Sequence, residues 1–77
     1  MQVNILLFGQ LTDITGTGNM VLEDMADTNA VTRKLEEQFP ALAHSKYVMA
    51  VDKKVISGNT ILNNNSTVAL LPPFSGG

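Results

Sequence analysis

No cysteine occurs anywhere in the 77 residues. That absence excludes a disulfide framework, a thiolate zinc site and a cysteine nucleophile together. Basic residues are scarce as well: Arg33, Lys34, Lys46, Lys53 and Lys54 are all there are, against a net charge of -2. Five cations make no extended positive face for a phosphate backbone, so nucleic acid is excluded as a partner. Lys53 and Lys54 beside Asp52 read as a solvated turn. No apolar run is long enough to span a bilayer, and "MQVNILLF" has neither a basic n-region nor a small-residue cleavage site. The expectation is a cytoplasmic chain with no membrane contact.

What is present describes a packed globule. Hydrophobic residues make up 44% and charged residues 16%, with no low-complexity tract, a balance that supports a core and argues against disorder. At this length there is one domain, near the size where a single core only just outweighs chain entropy.

"QVNILLF" (Gln2 to Phe8) reads as a strand, with Val3, Ile5 and Leu7 on one face and Leu6 and Phe8 on the other. Apolar residues on both faces suit a central strand, or a strand with one face free for docking. "GQLTDITGTG" then leads into "NMVLED", where Met20 and Leu22 alternate with Val21 and Glu23, a hairpin with a long, partly ordered connection. From Asp27 the period changes. Val31, Leu35 and Phe39 recur every four residues while Thr32, Arg33, Glu36 and Glu37 lie off that stripe, the signature of one amphipathic helix. Asp27 or Thr28 can cap its start, and Pro40 marks its end. "YVMAVDKKV" (Tyr47 to Val55) reads as a strand turning at Asp52 to Lys54, and "TVALLP" (Thr67 to Pro72) as another. Between them, "SGNTILNNNS" is turn-rich, with Ile61 or Leu62 as its anchor in the core.

The order strand, strand, helix, strand, strand implies an α+β domain in which one mixed sheet of four to five strands packs one helix. A right-handed crossover sets the last strand parallel to the first in mid-sheet. This is the ubiquitin-like β-grasp. A ferredoxin-like fold needs a second amphipathic helix, and the segment between Val55 and Thr67 is too rich in Asn, Ser and Gly to supply one. The organisation expected is a β-grasp domain over 1–73 and a flexible Gly-Gly tail over 74–77.

"LLPPFSGG" closes the sequence. Pro72 and Pro73 cannot donate to a ladder and hold φ near -65°, so the chain must leave the sheet extended. Six residues at about 3.3 Å each let Pro72 to Gly77 reach roughly 20 Å, and Gly76 and Gly77 carry no Cβ to block a narrow channel. Such a tail can deliver its α-carboxylate into another protein's active site.

"VNILLFGQLTDITG" and "VALLPPFSGG", with the helix closing on "FP" and the "VMAVDKKV" strand, resemble the small subunit of molybdopterin synthase, the sulfur-carrier family of molybdenum cofactor biosynthesis. The resemblance covers essentially the whole chain. It departs in one place: the family carries an acidic, Gly-containing turn before the last strand, where this chain has "NNNS" (Asn63 to Ser66), a variant that Asn permits because it tolerates left-handed geometry.

The resemblance implies a chemistry. An E1-like adenylating enzyme activates the Gly77 carboxylate with ATP, and sulfur from a donor protein then replaces AMP. The resulting thiocarboxylate attacks a cyclic pyranopterin precursor in the pocket of the molybdopterin synthase large subunit, within a heterotetrameric sulfurtransferase. With no cysteine, the chain handles only borrowed sulfur. Gly77 carries the reacting group, and Gly76 and Ser75 serve the fit. Phe8, Val55 and Leu71 form the docking surface, extended by Pro72, Pro73 and Phe74. No cofactor or metal is bound by the chain itself, and the chain is not catalytic alone. His44 reads as a solvated side chain after the helix, and Asp13, Glu23, Asp24, Glu36 and Glu37 form no pairing for acid-base or metal chemistry. Two alternatives stay open: a carrier for another acceptor, in thiazole synthesis, tRNA thiolation or protein modification, and a β-grasp interaction module whose tail does no chemistry.

Overall fold

The computed structural model describes residues 1–73; the expected tail, with Phe74, Ser75, Gly76 and Gly77, lies outside the described residues. Strand β1 (Gln2–Leu7) alternates as its sequence demands, with Val3, Ile5 and Leu7 buried and Leu6 left half-exposed. It runs antiparallel to β2 (Asn19–Glu23), pairing Ile5 with Met20 and Val3 with Leu22. Leu22 is buried and Met20 packs on the core, while Val21 and Glu23 are exposed.

The connection between these strands is more ordered than its three glycines suggest. Residues Leu11–Thr15 form a short helix, α1, in which Leu11 is fully buried and Ile14 packs on the core. Its end is fixed by Gly16, whose φ of 76° lets its N–H reach the Thr12 carbonyl at 2.8 Å, a left-handed cap that glycine makes without a Cβ penalty.

The main helix, α2 (Thr28–Gln38), buries Val31 and Leu35 and ends at Phe39, which packs on the core. Asp27 is its N-cap and accepts from the Ala30 N–H at 2.9 Å. Where a loop was expected after Pro40, the chain makes a 3-10 helix, Pro40–His44. Proline suits the first position of a new turn because its missing N–H would be unpaired there anyway. Leu42, fully buried, repays the turn with core contact. His44 sits exposed at its far end.

Strand β3 (Val48–Val51) turns through Asp52 and Lys53 into β4 (Lys54–Val55), so Lys54 belongs to the strand and Tyr47 lies outside it. Both turn residues have positive φ, 47° and 74°, as a two-residue turn matching the twist of the strands requires. Of the two candidate anchors in the next segment, Leu62 is buried and Ile61 is exposed. β5 (Thr67–Leu71) completes a five-stranded sheet in the order β2-β1-β5-β3-β4. β5 is parallel to β1 and antiparallel to β3, and the architecture is the ubiquitin-like β-grasp. The core lies between α2 and the sheet face made by Val3, Ile5, Leu7, Val68 and Leu70.

The "NNNS" turn brackets the start of the central strands. Asn65 takes φ 68° and its N–H donates to the Gln2 carbonyl, while the Asn64 Oδ1 accepts from the Gln2 N–H at 2.9 Å. A second polar bracket joins the 59–62 segment to the start of α2. The Asn59 Nδ2 donates to Asp27 at 3.2 Å, its Oδ1 accepts from the Asn29 N–H at 2.9 Å, and the Leu62 N–H donates to the Ala26 carbonyl at 2.9 Å. These donors, the Ala30 N–H first and Asn59 second, hold the Asp27 carboxyl below its ordinary 3.8.

The sign of the pH effect follows. A depressed native pKa stabilises the fold fully above pH 3.8, and that contribution is lost as pH falls through the native value. Asp27→Asn keeps a competent cap but removes the charge, so its denaturant midpoint should be lower than wild type at pH 7, with the gap closing as the pH drops below 3.8. A gap constant from pH 7 to pH 2.5 contradicts this account. Leu42→Ala should cost about 2–5 kcal/mol in the same assay, as a buried leucine does.

Candidate docking face and tail exit

The sheet face turned away from α2 carries a row of paired residues running across four strands. Leu6 lies opposite Ala69, Ala69 opposite Ala50, and Ala50 opposite Val55. Two residues further along, Leu71 pairs with Val48, and the Phe8 N–H donates to the Leu70 carbonyl at 3.2 Å, which puts Phe8 beside Leu71. The alternation that sends Val68 and Leu70 into the core sends Ala69 and Leu71 to this side.

Side-chain size then shapes the surface. Two alanines make a low floor, and Leu6, Phe8, Leu71 and Val55 stand around it, giving a shallow apolar dish. Phe8 is 44% exposed and Val55 68%, and with Leu6 and Leu71 they make one contiguous apolar patch, the kind of surface that marks a candidate interaction site. The Asp52 to Lys53 turn and Thr67 form the polar rim. That rim is tied down, since Asp52 and Thr67 exchange two bonds: the Asp52 N–H donates to the Thr67 carbonyl at 2.8 Å and its Oδ1 accepts from the Thr67 N–H at 2.9 Å.

The chain leaves the sheet at the dish's edge. Pro72 follows Leu71 directly and is half-buried, and Pro73 is exposed. Phe8, Val55 and Leu71, expected from the sequence to share a surface, therefore do share one, next to Pro72 and Pro73. Phe74, Ser75, Gly76 and Gly77 lie outside the described residues. The alanine floor was not anticipated. Its signal is the spacing of Ala69 two residues before Leu71, read together with the register that brings Ala50 opposite.

A second depression lies on the other side, between the start of α2 and β3. Several of its polar groups are already engaged: Asn59 with Thr28 and Asn29, and the Tyr47 hydroxyl, which donates to Glu36 beside the depression at 3.1 Å. Burial first, and Glu36 second, push the Tyr47 hydroxyl above its ordinary range, so it stays a neutral donor. Among the described residues no group of three or more His, Asp or Glu side chains could hold a metal ion, and no helix is long and apolar enough to cross a membrane. The described arrangement offers a shallow apolar surface with a fixed polar rim.

Solved structures with the same fold span the whole chain. One is the small archaeal modifier protein 1 from Methanosarcina acetivorans, at 23% identity and a TM-score of 0.84, covering 99% of this chain and 96% of that one. Another was solved in the complex of subunits 1 and 2 of the molybdopterin-converting factor from Helicobacter pylori 26695, at 24% identity and a TM-score of 0.76, covering all of both chains. In sequence, the chain is similar to a molybdopterin synthase sulfur carrier subunit from Arabidopsis thaliana, 27% identical over 82 residues, spanning 100% of this chain and 84% of that protein. Residues 5–77 match the model of the ThiS family, from the second half of β1 through the dish and its exit, and the chain belongs to that family.

Proposed function

We propose that this protein is a sulfur carrier that donates sulfur in molybdopterin synthesis, acting as the small subunit of a two-subunit synthase in the cytoplasm. The observation that carries the reading is the continuity of the apolar dish with the chain's exit. A partner seated on Phe8, Val55 and Leu71 receives whatever follows Pro73 at a fixed place on its own surface. The Arabidopsis relative bears the name of such a carrier, and the Helicobacter likeness was solved as a two-subunit complex, which supports a large subunit as the occupant of the dish.

The chemistry assigned to Gly77 runs in three stages: adenylation, sulfuration and transfer. A carboxylate is a poor electrophile, so an E1-like adenylating enzyme joins it to the α-phosphorus of ATP, releasing pyrophosphate and leaving an acyl adenylate. A persulfide on a donor protein attacks the acyl carbon and AMP departs, leaving an acyl disulfide; a second thiol of the donor then attacks the donor's own sulfur, which forms a disulfide on the donor and releases the Gly77 thiocarboxylate. The thiocarboxylate sulfur, softer than oxygen, then attacks the pyranopterin precursor held by the large subunit, and water cleaves the resulting thioester, leaving the sulfur on the precursor and restoring the Gly77 carboxylate. Gly76 and Ser75 thread the partner's channel, while Phe74 extends the contact. ATP is consumed by the activating enzyme, and this chain requires no cofactor of its own.

The likeness to the archaeal modifier protein is one of fold, and the acceptor distinguishes the two chemistries: a pterin precursor for a synthase subunit, a lysine side chain for a modifier. Incubated with its activating enzyme, ATP and a sulfur donor, the intact chain should gain the mass of one sulfur in place of one oxygen, mapped to Gly77. A modification at any other residue sinks the carrier mechanism. Gly76→Ile should leave the denaturant midpoint unchanged while abolishing sulfur transfer, because a β-branched side chain obstructs a channel fitted to bare backbone.

Docking has its own test. Phe8→Asp places an uncompensated charge on the wall of the dish and should weaken binding to the large subunit by about 2 kcal/mol or more. Unchanged affinity by calorimetry, with the variant folded, would remove Phe8 from the interface.

A further inference from the structure

The residue after Phe8 is a glycine whose position against Pro72 cannot accommodate a side chain. Gly9 takes φ 58°, and a Cβ built on it would stand 2.7 Å from the Pro72 Cγ and 3.5 Å from its Cδ. Ordinary contact begins at 3.4 Å. The obstructing atom belongs to a ring closed onto the backbone, so it cannot swing aside as the tip of a long side chain would. The chain around Gly9 is equally constrained. Its carbonyl accepts from the Thr12 N–H at 3.1 Å and from the Thr12 Oγ1 at 2.8 Å, and the Phe8 carbonyl accepts from the Leu11 N–H at 3.2 Å. Leu11, fully buried, anchors that turn in the core.

We infer that Gly9 is a positioning residue: its bare backbone seats the Pro72 ring, and this contact sets the line along which the chain leaves β5. The turn entering α1 is then a bracket for the exit, which gives a reason for the short helix and its buried leucine in the connection between β1 and β2. The inference deepens the carrier reading and rests on it for its consequence, since aim matters only if the terminal carboxylate must meet a partner's reacting group. With a Cβ present, the proline must retreat by about 0.7 Å to restore ordinary contact, and misplacements of about 1 Å can cost on the order of a hundredfold in a positioned reaction.

Gly16 supplies the control. It too has positive φ, 76°, but no atom lies within 4 Å of the Cβ position. Gly9→Ala and Gly16→Ala therefore carry comparable backbone strain, and only the first meets Pro72. Three readouts test the inference on the full chain. By nuclear magnetic resonance, the Pro72 ring signals should shift in Gly9→Ala and stay in place in Gly16→Ala. At saturating large subunit, sulfur transfer should slow by about tenfold or more in Gly9→Ala alone, with affinity for that subunit held within about threefold. In a Pro72→Ala background, Gly9→Ala should have no further effect on the rate, because the clashing Cγ is gone.

Unmoved Pro72 signals in Gly9→Ala overturn the inference whatever chemistry the chain performs. Equal slowing in Gly9→Ala and Gly16→Ala reduces the effect to strain and overturns it, as does a loss of affinity in step with the loss of rate, or a Gly9→Ala defect undiminished in the Pro72→Ala background. A wild-type chain that accepts no sulfur overturns the carrier reading instead, and the Pro72 signals then decide the seating by themselves.

Discussion

The parallel ladder between β1 and β5 joins the two ends of the sequence, Asn4 to Thr67 and Leu7 to Leu70. Parallel strands cannot be joined by a tight turn; they need a crossover, and here everything from β2 to the 59–62 segment lies within it. Because successive side chains alternate, this one register assigns every apolar residue of both strands. Val3, Ile5, Leu7, Val68 and Leu70 go to the helix side, and Leu6, Phe8, Ala69 and Leu71 go to the open side. A slip of one residue would exchange core for dish and leave α2 packing on alanine. The register is pinned from its start by Gln2, which exchanges bonds with Asn64 and Asn65.

An apolar dish is an exposed liability in a domain of this size, and its surroundings limit the damage. The neighbouring edge strand, β4, has two residues, and charged side chains stand at the adjoining turn. A short, charged edge offers little template for pairing with another copy. That turn is built without glycine, so Asp52 and Lys53 hold left-handed backbone at a cost of about 1 kcal/mol each. The paired bonds between Asp52 and Thr67 help offset it. What is gained is a rim of fixed shape carrying one positive and one negative charge, well suited to orient a partner before the apolar contacts close.

Legibility in the sequence followed how local each signal was. The α2 stripe of Val31, Leu35 and Phe39, its Asp27 cap and the alternation of β1 need only near neighbours, and the structure repeats them. The β-grasp topology followed from element order because handedness leaves few ways to lay the last strand against the first. Two short elements escaped. α1 is a single turn whose clue, Leu11 and Ile14 three apart before Gly16, is submerged among glycines and threonines that read as loop. The 3-10 turn hides behind Pro40, since a proline that ends one helix looks in sequence like an end and not a beginning. At the candidate site, the family resemblance placed Phe8, Val55 and Leu71 on one surface, whereas nothing in the sequence marked the floor of Ala50 and Ala69. Alanine carries little hydrophobic signal, and only the cross-strand register places the two side by side. The contact of Gly9 with Pro72 joins residues far apart in sequence, so no local pattern could announce it.

The dish and the point where the chain leaves the sheet share one strand. β1 presents Leu6 and Phe8 to the open face and continues without interruption into Gly9, against which Pro72 rests, so the distance from the dish to the exit is set within one central strand and its neighbour. The contact of Gly9 with Pro72 falls where the pairing of Leu7 with Leu70, carried two residues further, would put it. The ladder that builds the core therefore also places Pro72 against bare backbone, and a change in that register would disturb core, dish and exit together.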